Sequence, residues 1–131
     1  MLEIEDEPPE KLLHRAVTEK IMGAAFAVHG ELGYGFLERV YQRALQVELI
    51  KRGSIAEIEK RIQVHYKQAV VGDYDADREV DRSVLVELKV NPQYDRRDEA
   101  QLLNILKATG MKVGVLINFG RLKVEYKRLV F

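Results

Sequence analysis

The sequence predicts an α/β fold in which helices flank a mixed central sheet. Three observations predict it. Before Gly53, apolar residues recur at spacings of three and four, the period of amphipathic helices. After Gly53 the period falls to two, in three segments separated by short polar breaks. Nearer the C-terminus a helical segment separates two apolar segments, and a strand, a crossover helix and a further strand imply mixed pairing with helices covering the sheet. The resulting order is α-α-β-β-β-α-β-β.

Each element has its own signal. Residues 1–9 form an acidic leader, and Pro8 and Pro9 suit a helix that starts after them. Residues 10–29 carry Leu13, Val17, Ile21, Ala24 and Val28 on one stripe, and Gly30 with Gly33-Tyr34-Gly35 turns the chain. A second helix is expected over residues 36–52, with Leu37, Tyr41, Ala44, Leu45 and Leu49 inside and Gly53 as its C-cap. So short a connection predicts a helical hairpin. Strands follow at 58–66, 70–80 and 84–90. The breaks Lys67-Gln68 and Asp81-Arg82-Ser83 are short enough for an antiparallel meander. A helix at 98–109 ends at Gly110. The apolar run at 112–119 and the alternating run at 122–131 complete the sheet, the last as an edge strand. Residues 10–131 are thus expected to form a single domain, in keeping with a length of 131 residues.

Composition narrows the function classes. With 21 basic and 21 acidic residues the formal net charge is zero, which disfavours binding to nucleic acid through a bulk positive field. A local basic face is compatible with that balance. The chain has no Cys, so disulfides, thiolate metal sites and cysteine nucleophiles are excluded. No apolar run approaches the roughly 18 residues of a membrane span. The acidic N-terminus lacks the basic region of a signal peptide, and a cytoplasmic location is expected. His14, His29 and His65 have no metal-ligand spacing, and Gly33-x-Gly35 lacks the preceding strand of a phosphate loop.

The charges of the second hairpin are unusual. Alternation puts Asp73, Asp75 and Asp77 on one strand face, and Leu85, Glu87 and Lys89 on one face of the next. If residues 81–83 turn the chain, Asp77 faces Glu87 and Asp75 faces Lys89. Like charges directly opposite repel, so Asp77 beside Glu87 calls for a nearby cation, a raised pKa or a metal ion. Two carboxylates and a backbone carbonyl suit Mg²⁺, which takes oxygen ligands. Lys89 lies about 6.6–6.8 Å farther along the same face, within reach of a water or a phosphate oxygen. The same pattern also reads as a solvated sheet face on which Lys89 neutralises the acids. Glu38 and Tyr41, one turn apart, are a surface pair or else a first-turn acid complementing the helix dipole and a core aromatic. Gln101 points over the sheet or closes an Asp98-x-x-Gln101 capping box.

Gly35-Phe36-Leu37-Glu38-Arg39-Val40-Tyr41 reads GxxExxY. With Ala76-Asp77, Val86-Glu87-Leu88-Lys89, Glu99-Ala100-Gln101-Leu102-Leu103-Asn104 and residues 114–120, it resembles the GxxExxY protein family over nearly the whole chain. That family in turn resembles the PD-(D/E)XK nuclease superfamily. The resemblance implies a restriction-endonuclease-like core and Mg²⁺-dependent (or Mn²⁺-dependent) phosphodiester hydrolysis in DNA or RNA. It implies Asp77, Glu87 and the backbone carbonyl of Leu88 as metal ligands, with Glu38 completing the shell. Lys89 would orient a water or offset phosphate charge, and Gln101 would orient the constellation. The chain departs from the pattern at Ala76, at Asp75 where the family tends to carry Arg, and at Ile105 where the glutamine motif takes Tyr. The alternatives are a non-catalytic nucleic-acid-associated or protein-interaction domain that keeps the nuclease fold, with a homodimer as one form of it, and an enzyme for a small phosphoester. Lys60, Arg61, Arg96, Arg97, Arg121 and Lys123 are the candidate nucleic-acid contacts, and loop 91–97 is placed to overhang the site.

Overall fold

The computed structural model describes residues 13–131, apart from the side chains at 58–60, 77 and 78. The acidic leader expected at residues 1–9, and the helix start expected at residue 10, lie outside the described residues. The elements run α1 (Arg15–Leu32), α2 (Glu38–Lys51), β1 (Ala56–Tyr66), β2 (Ala69–Val80), β3 (Val84–Lys89), α3 (Arg96–Thr109), β4 (Val113–Asn118) and β5 (Glu125–Val130). The five strands lie in sequence order. All neighbours are antiparallel except β3 and β4, which pair in parallel across α3. The predicted class, element order and mixed sheet are those observed. Among the described residues no helix is long and apolar enough to cross a membrane.

The layers follow from alternation. In β3, Val84, Val86 and Leu88 face one way and join Val113, Val115 and Ile117 of β4 under α1 and α2. Leu85 and Leu116 face the other way, under Leu102, Ile105 and Leu106 of α3. Strands covered on both faces bury nearly every side chain, and each such Val or Leu contributes about 1.5–3 kcal/mol. Gly114 permits the close seat of α3: a Cβ there would lie 3.0 Å from a methyl of Leu102.

The β1–β2 ribbon behaves differently. Its register is regular from Ala56↔Val80 to Ile62↔Tyr74, yet the two ends of that stretch pack in different cores. Ala56 and Val80 belong to the α1/α2 side, whereas Ile62, Tyr74 and Ala76 belong to the α3 side. Sheet twist therefore turns the ribbon over between Ala76 and Val80. Asp81 fixes the turn that follows. Its backbone N–H donates to the Ile55 carbonyl at 2.7 Å, and its carboxylate accepts from the Ile55 N–H at 2.8 Å.

Helix α1 runs through Gly30 to Leu32, past its expected end at 29, and α2 starts at Glu38 with Leu37 exposed rather than inside. Two further boundaries differ for local reasons. Helix α3 starts at Arg96, because Asp95 caps it by accepting from the Arg97 N–H at 2.8 Å. Asp98 is thus inside the helix, and the Asp98-x-x-Gln101 capping box does not form. Strand β5 starts at Glu125 because the preceding loop is tied elsewhere: His29 Nε2 meets the Arg121 carbonyl oxygen at 2.8 Å. Gly120 lies so near the next loop that a Cβ would sit 2.3 Å from the Asn91 carbonyl oxygen.

Candidate active site

The polar groups gather at the C-terminal ends of the parallel pair. Glu87 shares the α3 face with Leu85 but is only 5% exposed, and the Tyr74 hydroxyl donates to its Oε2 at 2.8 Å. Burying a carboxylate is costly without such partners, so this residue is not an ordinary surface acid. Lys89, two residues on, emerges on the same face beside the first turns of α3. Its Nζ lies 3.9 Å from Oδ1 of Asp98, and the Asn91 amide donates to Oδ2 of Asp98 at 3.2 Å. Lys89, Asn91, Pro92, Gln93, Asp95 and Asp98 enclose an open cleft of about 500 Å³. Of the expected loop 91–97, Asn91, Pro92, Gln93 and Asp95 line this cleft, while Arg96 and Arg97 already belong to α3.

Asn118 holds the floor. It is level with Lys89 in the β3–β4 register and 1% exposed. Its Oδ1 accepts from the backbone N–H groups of Asn91 and Gly120 at 2.9 and 3.1 Å, while its Nδ2 donates to the Asn91 carbonyl at 3.0 Å. Nδ2 also donates to Glu125 at 3.2 Å. A fully used amide locks the loops after β3 and β4 together. Tyr94, in the same loop, packs against the α3-side core, its hydroxyl donating to Glu99 at 2.7 Å. Burial, and then the hydrogen bond to the Glu99 carboxylate, push the phenol well above the ordinary tyrosine range. At the rim, hydrogen bonds from Arg97 hold the Asp95 carboxyl below the usual carboxylate range.

The structure brings some of the predicted residues together and separates others. Glu87 and Lys89 share a face, as alternation predicts. The β2–β3 ladder ends at Arg78↔Val86, so Asp77 and Glu87 are the next residues of their strands. The Asp77 side chain lies outside the described residues. Asp75 does not face Lys89: it is exposed and pairs with Arg61 at 3.4 Å, because the ribbon has turned over by that point. Glu38 begins α2 and accepts from Gln42 at 3.3 Å, on the layer across the sheet from α3. Its helix is anchored near the strand ends by Tyr41, which is fully buried and stacks on Phe119 with ring centroids 4.8 Å apart. Gln101 is exposed on α3, and Ile105 is a core residue beneath the helix. Among the described residues no three His, Cys, Asp or Glu side chains meet as a metal site.

Sequence reasoning did not single out Tyr74, Asn91, Tyr94, Asp98 or Asn118 for roles at this site. One signal was available: Asn118 is the only polar side chain in the apolar run 113–119, a place where an amide must find partners.

A mixed sheet between helix layers, with an E-x-K strand ending at a polar cleft, defines the architecture of this α/β protein. The family model of the PD-(D/E)XK nuclease superfamily matches residues 15–129, and the chain belongs to that superfamily. The crystal structure of an alkaline exonuclease from Laribacter hongkongensis is similar over 86% of this chain and 81% of that one, at 11% identity and a TM-score of 0.43. No curated protein matches the chain.

Proposed function

We propose that this chain is a divalent-metal-dependent nuclease that hydrolyses phosphodiester bonds in DNA or RNA. The observation that carries the reading is a buried Glu87 followed on the same face by a half-buried Lys89 at a cleft, in a chain of this superfamily. Asp77, Glu87 and the Leu88 carbonyl would offer oxygen donors to a hard cation, and Glu38 at the start of α2 would be the further ligand. Mg²⁺ or Mn²⁺ bound there would supply positive charge to the scissile phosphate and acidify a water.

The protein's own groups do the rest. Tyr74 fixes the Glu87 carboxylate through its hydroxyl. Lys89 presents its ammonium to the cleft, where it orients a water or offsets charge growing on phosphate oxygen. Asp98, itself held by the Asn91 amide, pairs with that ammonium at 3.9 Å and so pre-positions it. Gln101, exposed about one turn beyond Asp98, would orient the constellation.

The test is cleavage of labelled single-stranded DNA, duplex DNA and RNA after chelation, with and without added Mg²⁺ or Mn²⁺. Glu87→Gln, Asp77→Asn and Lys89→Ala should each lower divalent-dependent cleavage by about 10²–10³-fold. Unchanged cleavage in these variants would overturn the mechanism. Failure of Mn²⁺ to bind saturably in calorimetry would favour the alternative, a non-catalytic domain that keeps the nuclease fold.

A further inference from the structure

A second groove adjoins the Lys89 cleft and shares Pro92 with it. It measures about 640 Å³ and runs between the α1–α2 turn, which contributes Tyr34, and the β4–β5 loop, which contributes Gly120, Arg121 and Lys123. We propose that this groove binds an unpaired nucleotide stretch, single-stranded DNA or RNA, by stacking a base on Tyr34 and receiving a phosphate at Lys123. The inference deepens the reading above by naming the form of substrate that would reach the cleft.

Three features carry it. The first is the aromatic ring. Tyr34 is 56% exposed, and among the described residues no other ring packs against it. Exposing a large ring on a loop forfeits burial, and a base face is a ligand that would recover it. The second is charge. Arg121 is engaged with Glu125 at 3.2 Å, and Glu125 is also held by Asn118. Lys123 has no ion pair among the described residues and is exposed, so it is the cation on this wall with its charge unspent. A ring beside an unpaired cation matches the alternation of base and phosphate along one strand. A duplex hides its base faces, so the match is to unpaired chain.

The third feature is pre-organisation. The turn bearing Tyr34 is tied to the core on both sides: the Tyr41 hydroxyl donates to the Gly33 carbonyl at 2.6 Å and accepts from the Phe36 N–H at 3.4 Å. Gly35 adopts φ 109°, a conformation strained for other residues. The opposite wall is pinned by His29 at Arg121 and by the close packing of Gly120 on Asn91. Both walls are therefore set before a ligand arrives, which lowers the ordering cost of binding. Zero net charge limits bulk attraction, so such local contacts would decide what binds.

The test is fluorescence anisotropy with labelled dT12, U12 and a blunt duplex of equal length, in chelator so that nothing is cut. The intact protein should bind dT12 or U12 more tightly than duplex, and the two single strands distinguish DNA from RNA. Tyr34→Ala should weaken single-strand binding about 5- to 100-fold, while Tyr34→Phe keeps it within about 2-fold. Lys123→Ala should reduce the slope of log K against log salt by about 0.7. Unaltered single-strand binding in Tyr34→Ala, equal binding of duplex, or no binding of any oligonucleotide would each overturn the proposal. These readouts use neither metal nor cleavage, so an inactive metal centre and a non-binding groove give different results.

Discussion

The two faces of the β3–β4 pair differ although they are made from the same residues taken alternately. On the α1/α2 face, Val84, Val86, Leu88, Val113, Val115 and Ile117 are all apolar along their whole length. On the α3 face, Leu85 and Leu116 are apolar, but Glu87, Lys89 and Asn118 take over toward the C-terminal ends. The side chains of the first face itself are all core. The second gives up apolar area at one end and replaces it with a connected set of polar groups. Period-two alternation lets one strand do both, and a one-residue slip of register would exchange the two roles.

The comparison can be broken most forcefully on the sealed face. Leu45→Ala removes a fully buried side chain under α2 and should cost about 2–5 kcal/mol of unfolding free energy in urea. Its cleavage per folded molecule should match the intact protein, and a loss beyond the unfolded fraction would mean that the faces are not separable. A smaller effect is expected from Asn118→Ala, about 1–3 kcal/mol, because backbone groups of Asn91 and Gly120 lose their partner. Here cleavage per folded molecule should fall as well, since the cleft floor loosens.

The smallest effect sharpens the contrast by pH. The Tyr94 phenol is favoured in its neutral form when folded, whereas an unfolded tyrosine ionises near pH 10. The folded state then holds the extra proton, so this contribution is full below about pH 10 and is lost as pH rises through and beyond that value. Urea midpoints measured from pH 8.5 to 11 should decline, and Tyr94→Phe should flatten the decline by about 1 kcal/mol or less. An unchanged slope would show that Tyr94 is not held by its surroundings.

Much of the fold could be read from periodicity because the core strands and helices obey it strictly. Val84, Val86 and Leu88 against Leu85 and Glu87 is an alternation visible in the chain, and it located half of the site. The error at Asp75 has a definite cause. Alternation gives the face of a residue only while the strand keeps its orientation to the core, and the ribbon rolls over between Ala76 and Val80. The partner of Lys89 was hidden for another reason. Asp98 reaches it only because α3 lands on the sheet where Gly114 admits Leu102, and that docking is tertiary. The capping box at Asp98 was displaced by Asp95, since both are acids ahead of an apolar stripe and local chemistry alone does not rank them. Tyr34 is a turn residue by sequence. Its place in a groove depends on a loop that follows β4, far along the chain.

The parallel pairing of β3 and β4 also has a kinetic consequence. The β1–β2 ribbon closes over the tight turn at Lys67 and Gln68, so it needs little loop entropy and can form on the microsecond scale of an isolated hairpin. Lys89 and Asn118 become neighbours only after the intervening helix has crossed the sheet and its far strand has slotted home. The cleft is consequently expected to be among the last features to be assembled, and a half-folded chain would lack it. If the chain cleaves as proposed, the return of cleavage during refolding would therefore time the closing step of folding itself.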